Sequence, residues 1–421
     1  MTDEHRFEPT RHRNMIEQGP GQRRYDIDAL RVGAFGLLIL YHVGMVYVAD
    51  WGFHIKSPAA SDWLQWPMVA LNRWRMPLIF LISGIALGLS RGADQPGRLA
   101  IRRSSLLLVP LIFGMLAIVP IQAWVEARAN GAFEAGFGAF LLRYWQLQPW
   151  PDGGFAGAEF GMTWNHLWYL AYLWAYTMVL AAGLALLRLG KPRCRNVRPG
   201  GLSLTALLLL PVAWWFVVLY FLEPRFGDTK ALTDDWANHA NYLPVFMFGF
   251  WLARQRRVWD ALCDQRRLML LLALVGLILY MALRVAGRAL PAEDIAALPD
   301  LNWRAISDGA HALYAWNALL AILGYAGAWL NRPRRWMAYA NRAVYPWYIL
   351  HQSLIVPLAA LLIPLALPGP VEATLVLTGT VVGCALIHHW IVLRIRWLQP
   401  LFGVRISSSP MTSVQKHNAG V

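Results

Sequence analysis

Ten runs of mostly apolar residues govern what this chain can fold into. They lie at about 29–49, 66–90, 104–125, 164–188, 202–222, 240–254, 267–284, 309–330, 344–363 and 371–393. A helix needs about 20 apolar residues to cross the hydrocarbon core of a bilayer. Backbone N–H and C=O groups in lipid find no water, so each segment must satisfy them internally as helix. The pattern therefore predicts an all-α, polytopic integral membrane protein with about ten transmembrane helices, the run at 240–254 being the shortest. Only 15% of the 421 residues are charged, against roughly 25% in a soluble domain. An ordinary soluble enzyme is excluded.

The formal net charge of +14 invites a nucleic-acid reading, but its placement argues otherwise. With the N-terminus inside, Lys and Arg gather in the alternate segments that face the cytoplasm, and acidic residues favour the opposite loops. That is the positive-inside rule. Both termini are then cytoplasmic, the basic excess is topological, and no nucleic-acid partner is expected. The 22 Trp residues cluster near the ends of the runs, as interfacial belts against membrane lipids do. Residues 1–23 read as a disordered basic leader, 24–403 as one membrane domain, and 404–421 as a flexible tail. The first span reads as an uncleaved anchor.

Three cysteines, Cys194, Cys263 and Cys384, form no CxxC pair and no metal-ligand spacing with His, so no metal is expected. Walker A, GxSxG and HExxH patterns are also missing. The outer loops are the longer ones, notably 126–163 and the acidic 223–239. Long ordered loops usually carry function, which puts an acceptor on the outer side.

Ionisable side chains within a bilayer are costly and commonly face a cavity or a partner. Arg31 and His42 in the first span are eleven residues apart. On a helix they differ by only about 20° in direction, with His42 about three turns above Arg31. A cytoplasmic anion held at Arg31 would present its far end to His42. The plainer alternative has Arg31 snorkelling to lipid headgroups and His42 packing. The second span opens Asn72-Arg73-Trp74-Arg75-Met76-Pro77, and Pro77 to Ser90 is too short to cross. Arg75 must then sit within the membrane or in a re-entrant segment, clamping an anion or pairing with an outer-loop carboxylate. Arg102 and Arg103 form a basic cytoplasmic patch that suits phosphates and equally marks topology. His166 and Trp168 at the outer start of the fourth span suit a sugar or an aromatic belt. His351 lies within the ninth span, and His388-His389 in the tenth has no assigned role.

These residues together resemble the acyltransferase 3 family of membrane-bound O-acyltransferases. Arg24-Tyr25-Asp26-Ile27-Asp28-Ala29-Leu30-Arg31 with His42 after ten intervening residues is similar to the family's opening. Arg75-Met76-Pro77 through Ile82-Ser83-Gly84 resembles its second-helix motif, and Arg102-Arg103 with Pro110 its basic loop. Tyr345 to Gln352 and Leu398 to Gly403 resemble its late Tyr-His-Gln and closing segments, so the likeness spans 24–403. His166-Leu-Trp-Tyr-Leu is similar to the branch of glucan succinyltransferases that contains glucans biosynthesis protein C. The larger branch has a Trp-Ser-Leu…Glu motif there, and this chain lacks its Glu.

The resemblance implies transfer of an acetyl or succinyl group from cytoplasmic acyl-CoA to a hydroxyl of an outer glycan, in a bacterial inner membrane. By it His42 is catalytic, with Arg31 its partner on the same helix. The residues themselves then suggest that Arg75 assists at the reacting oxygen, that Arg31, Arg102 and Arg103 hold the CoA phosphates, and that His166, Trp168 and His351 contact the carbohydrate acceptor. A transporter or flippase for an anion or lipid-linked sugar is the competing reading.

Overall fold

A computed structural model describes residues 23–90, 92, 95–150, 154–189, 204–289 and 302–405. The leader to residue 22, the tail from 406 and Cys194 lie outside the described residues. Helix dominates, and no strand longer than a single bridge, Val48 to Ser61, occurs among the described residues.

Fourteen α-helices are used here, in chain order: α1 (Tyr25–Tyr47), α2 (Gln65–Gly88), α3 (Pro96–Phe113), α4 (Pro120–Ala129), α5 (Phe137–Tyr144), α6 (Trp168–Leu189) and α7 (Leu204–Val217). There follow α8 (Glu223–Phe226), α9 (Trp236–Leu252), α10 (Arg256–Asp264), α11 (Arg266–Ala289), α12 (Trp303–Trp329), α13 (Met337–Leu362) and α14 (Gly369–Leu386). Among the described residues, eight helical segments are long and apolar enough to cross a membrane. The two remaining predicted spans are α2, which carries Arg73 and Arg75, and α9, which has 17 residues. At about 1.5 Å per residue α9 is near 26 Å long, short of the roughly 30 Å hydrocarbon core. Side chains such as Ile278 and Leu271 on α11 stay exposed, as a lipid-facing surface requires.

α2 is one continuous helix around Pro77, so no re-entrant segment forms. Beyond its charged residues, its second half pairs closely with α9. A Cβ at Gly84 would stand 2.1 Å from the Phe246 carbonyl oxygen, and one at Gly249 would stand 2.4 Å from that of Leu81. Only hydrogen fits, and the backbones touch. Gly84→Ala is therefore expected to force the two helices apart and cost about 1–3 kcal/mol. Thermal unfolding in detergent would show a lowered midpoint, whereas Gly183→Ala, with nothing within 4 Å, leaves it unchanged.

The opening motif builds a joint. Buried Asp26 pairs with Arg24 at 2.6 Å, and the Arg24 guanidinium lies 4.0 Å over the Trp259 ring of α10. The backbone N–H of Tyr25 donates to Asn331 at 3.1 Å. These contacts fix the start of α1, and with it the height of Arg31 and His42. The bundle then has two unlike ends. One holds the loops 48–64, 126–164 and 223–235. The other holds the short connections after α2, α9 and α12, and the closing segment to Arg405.

Candidate active site

A cavity of about 1210 Å³ enters the bundle from the loop-rich end. Its upper wall comes from the loops around Phe53, Asn165 and Asp228, and its deeper wall from α1, α2, α6, α9 and α13. His42, Arg73, Arg75, His166 and Trp168 all line it, and its deepest lining residues on α1 are Phe35 and Leu38.

His42 is half-buried, and its Nδ1 lies 3.0 Å from Nε2 of His351. The proton positions follow from the partners. Fully buried His351 directs Nδ1 at the Tyr348 carbonyl at 2.7 Å. A carbonyl only accepts, so this nitrogen carries hydrogen and donates. Neutral His351 then has its lone pair on Nε2, and His42 must donate from Nδ1. The remaining nitrogen of His42, Nε2, holds a lone pair: it is set up as a base or a nucleophile. Phe53 stacks against the His42 ring at 6.5 Å.

Arg75 stands nearby with 7% exposure. Its guanidinium lies 3.4 Å over the Tyr41 ring and donates to Asn72 at 3.2 Å. Its Nε and Nη1 are buried without a partner, as is Nε of Arg73. Among the described residues no carboxylate lies within ion-pair distance of Arg75. A buried cation with spare donors is costly alone and well placed for an anion or a developing negative oxygen.

His166 is at the loop-rich end of its helix, as expected, but 5% exposed. Its Nε2 donates to the Ile349 carbonyl at 3.2 Å, and its Nδ1 accepts from Gln122 at 3.3 Å. Tyr348 donates back to the His166 carbonyl at 2.6 Å. With both nitrogens engaged, the ring braces His351, 5.0 Å away edge to face. Trp168 is also buried, packed on Tyr172 at 4.9 Å and Tyr242 at 6.0 Å.

Arg31 lies beyond the cavity floor. Phe35 meets Tyr348 at 5.5 Å and Tyr169 at 6.4 Å, and those two tyrosines meet at 5.9 Å. This aromatic floor lies one turn above Arg31 on α1. Ser83 holds Tyr169 in place through a 2.6 Å hydroxyl pair, so the Ser-Gly motif supplies both this bond and the α2–α9 contact. Arg31 and Arg103 are both within electrostatic reach of Tyr169 from below.

The sequence reading missed a fourth arginine there. Gly403, at φ +68°, lets the closing segment turn beneath the Tyr345 ring, where a Cβ would come within 3.1 Å. Phe402 meets Phe113 of α3 at 5.2 Å. Arg405 thereby joins Arg102 and Arg103. Burial first, and then those two like charges, push its guanidinium below the ordinary arginine range. The cluster is cationic.

A second group was missed on the cavity wall. His54 directs Nδ1 at Glu126 Oε2, 2.5 Å away, and its Nε2 meets both the Gln352 amide nitrogen, which donates to it at 2.7 Å, and Asn165 Oδ1 at 3.2 Å. Asn165 accepts from Gln352 at 2.9 Å. Its members come from four distant segments, and nothing in the local pattern of any one announces the others. Gln352 was visible only as the neighbour of His351.

A family model described as an acyltransferase domain, that of acyltransferase 3, matches residues 24–389. No curated protein and no solved structure matches the chain.

Proposed function

The chain belongs to the acyltransferase 3 family, and from that premise we propose that it transfers an acyl group from cytoplasmic acyl-CoA to a hydroxyl of an outer-side envelope glycan. The observation that carries this reading is the His42–His351 hydrogen bond in the wall of a large cavity, which leaves His42 Nε2 with a free lone pair. The cavity suits an acceptor entering from the outer face of a bacterial inner membrane.

Donor and acceptor approach from opposite ends. Arg31, Arg102 and Arg103, joined by Arg405, hold the CoA phosphates through charge-assisted hydrogen bonds. The pantetheine arm extends along α1, where eleven residues at 1.5 Å separate Arg31 from His42 by about 16 Å. Phe35, Tyr169 and Tyr348 part to admit the thioester. Arg75 turns its spare N–H groups to the carbonyl oxygen as charge develops there. A terminal carboxylate, as on succinyl, gives the Arg73–Arg75 pair a further partner and supports a dicarboxylic donor over acetyl. Trp168 and the loop aromatics Phe53 and Phe160 offer ring faces to a sugar. His166 acts by bracing His351.

Donor binding tests the phosphate site directly. Purified protein in detergent is expected to bind acetyl-CoA and succinyl-CoA less tightly as salt rises, since exposed charges are screened. Replacing Arg102 and Arg103 together by Ala is expected to raise Kd at least tenfold, with charge-assisted hydrogen bonds contributing roughly 1.5–3 kcal/mol each. An unchanged Kd, measured by calorimetry, would remove the phosphates from this patch.

A further inference from the structure

His54 and Glu126 form a carboxylate–imidazole pair in the same cavity as His42, and the reaction as described so far gives them nothing to do. Their surroundings show construction for a purpose. His54 is 8% exposed. Glu126 uses one oxygen on His54 and the other to accept the Ala156 backbone N–H at 3.2 Å. The loop bearing His54 is pinned under α1, where Lys56 donates to the carbonyls of Met45, at 2.7 Å, and Val48. Two consecutive residues of α13 hold the two imidazoles: His351 bonds His42 and Gln352 bonds His54. Phe53 packs on both rings, at 6.5 Å from His42 and 4.8 Å from His54.

The two imidazoles differ in what stands behind them. Behind His42 are the His351 ring and, through it, a carbonyl, with no carboxylate bonded to His42 among the described residues. That arrangement leaves His42 Nε2 as a neutral nucleophile. Behind His54 is a carboxylate, so a proton gained at Nε2 is balanced by Glu126, as in a Ser-His-Asp arrangement. Height in the cavity agrees. His54 comes from the outer loop, nearer the acceptor, and His42 lies deeper, nearer the donor.

Resting on the acyl-CoA reading above, we infer that His54, held by Glu126, is the base that takes the proton of the acceptor hydroxyl, while His42 carries the acyl group. In the first half-reaction His42 Nε2 attacks the thioester carbonyl. The C–S bond breaks, and the thiolate leaves as CoA-SH with the proton that His42 Nδ1 gives up. In the second, the acceptor hydroxyl displaces both Gln352 and Asn165 at His54 Nε2 and loses its proton to that nitrogen. Its oxygen bonds to the acyl carbon, the C–N bond breaks with its electron pair returning to His42, and the His54 proton passes back to His42. Glu126 is a positioning residue, acting through His54.

The test separates the halves. Full-length wild type, His54→Gln and Glu126→Gln are each mixed with acetyl-CoA or succinyl-CoA, and CoA release is followed with a thiol reagent. A pooled glycan extract of the host envelope serves as the acceptor probe. His54→Gln is expected to release about one CoA per protein, retain a hydroxylamine-labile acyl group, and turn over with the extract about 10²–10⁴-fold more slowly. Glu126→Gln is expected to lower kcat while leaving the KM for acyl-CoA unchanged. Turnover of His54→Gln at the wild-type rate overturns the proposal. So does loss of the initial CoA release in folded His54→Gln, which would place His54 in the donor half. Should His54→Gln not fold, wild-type turnover by Glu126→Gln overturns it instead. Wild type that releases no CoA, or that the extract does not stimulate, removes the acyl-CoA or glycan reading beneath it.

Discussion

His42→Ala is expected to abolish transfer while acyl-CoA still binds, because the variant loses only the reacting nitrogen. In the proposed reaction the donor's charged end is held by arginines below the aromatic floor, about 16 Å away along α1, so its affinity is not expected to pass through His42. The loss in rate is expected to exceed about 10⁴-fold, as loss of the nucleophile that carries the transferred group does. Replacing Arg31 has the opposite signature. Arg31→Ala is expected to weaken donor binding, with rate partly restored at high acyl-CoA. Arg31→Lys recovers only part, since a point charge replaces a planar fork. His351→Ala falls between these, because it removes the acceptor that fixes the His42 tautomer. Steady-state kinetics beside a donor-binding assay distinguishes all of these.

Arg75→Met is expected to have the next largest effect, lowering kcat about 10²–10³-fold, as removal of one oxyanion donor does. Met keeps much of the stem volume against Tyr41 and deletes a buried cation that has no carboxylate to balance it. The folded protein is therefore expected to survive, which separates this residue from Gly84. Equal slowing with acetyl-CoA and succinyl-CoA assigns Arg75 to the reacting carbonyl. Slowing confined to succinyl-CoA would assign it to the far carboxylate of the acyl group instead.

The membrane architecture was legible because lipid forces one solution on the backbone. A run such as 267–284 lies wholly inside α11, and 344–363 almost wholly inside α13. α2 was less legible, because Arg73 and Arg75 break its apolar run. Its close contact with α9 at Gly84 and Gly249 is a tertiary fact that no local pattern carries. The shared face of Arg31 and His42 follows from helix geometry alone, but the Phe35 floor between them depends on Tyr169 and Tyr348 from two other helices. His166 shows the limit most clearly. An aromatic cluster at a span's outer start suggests a sugar platform, and only the bonds to Gln122 and Ile349 reveal a brace. His54 and Glu126 could not be paired in advance, since 72 residues separate them and both lie in or beside irregular loops.

Mass spectrometry of envelope glycans reads acyl transfer by His42 in the cell. Cells lacking the gene are complemented with wild type or with His42→Ala, at matched levels of folded protein in the membrane. Glycans are expected to carry an acyl mass increment with wild type and to lack it with both the deletion and His42→Ala. Identical glycan masses in all three strains would rule out glycan acylation by this protein, and full acylation by His42→Ala would rule out His42 as its reacting residue.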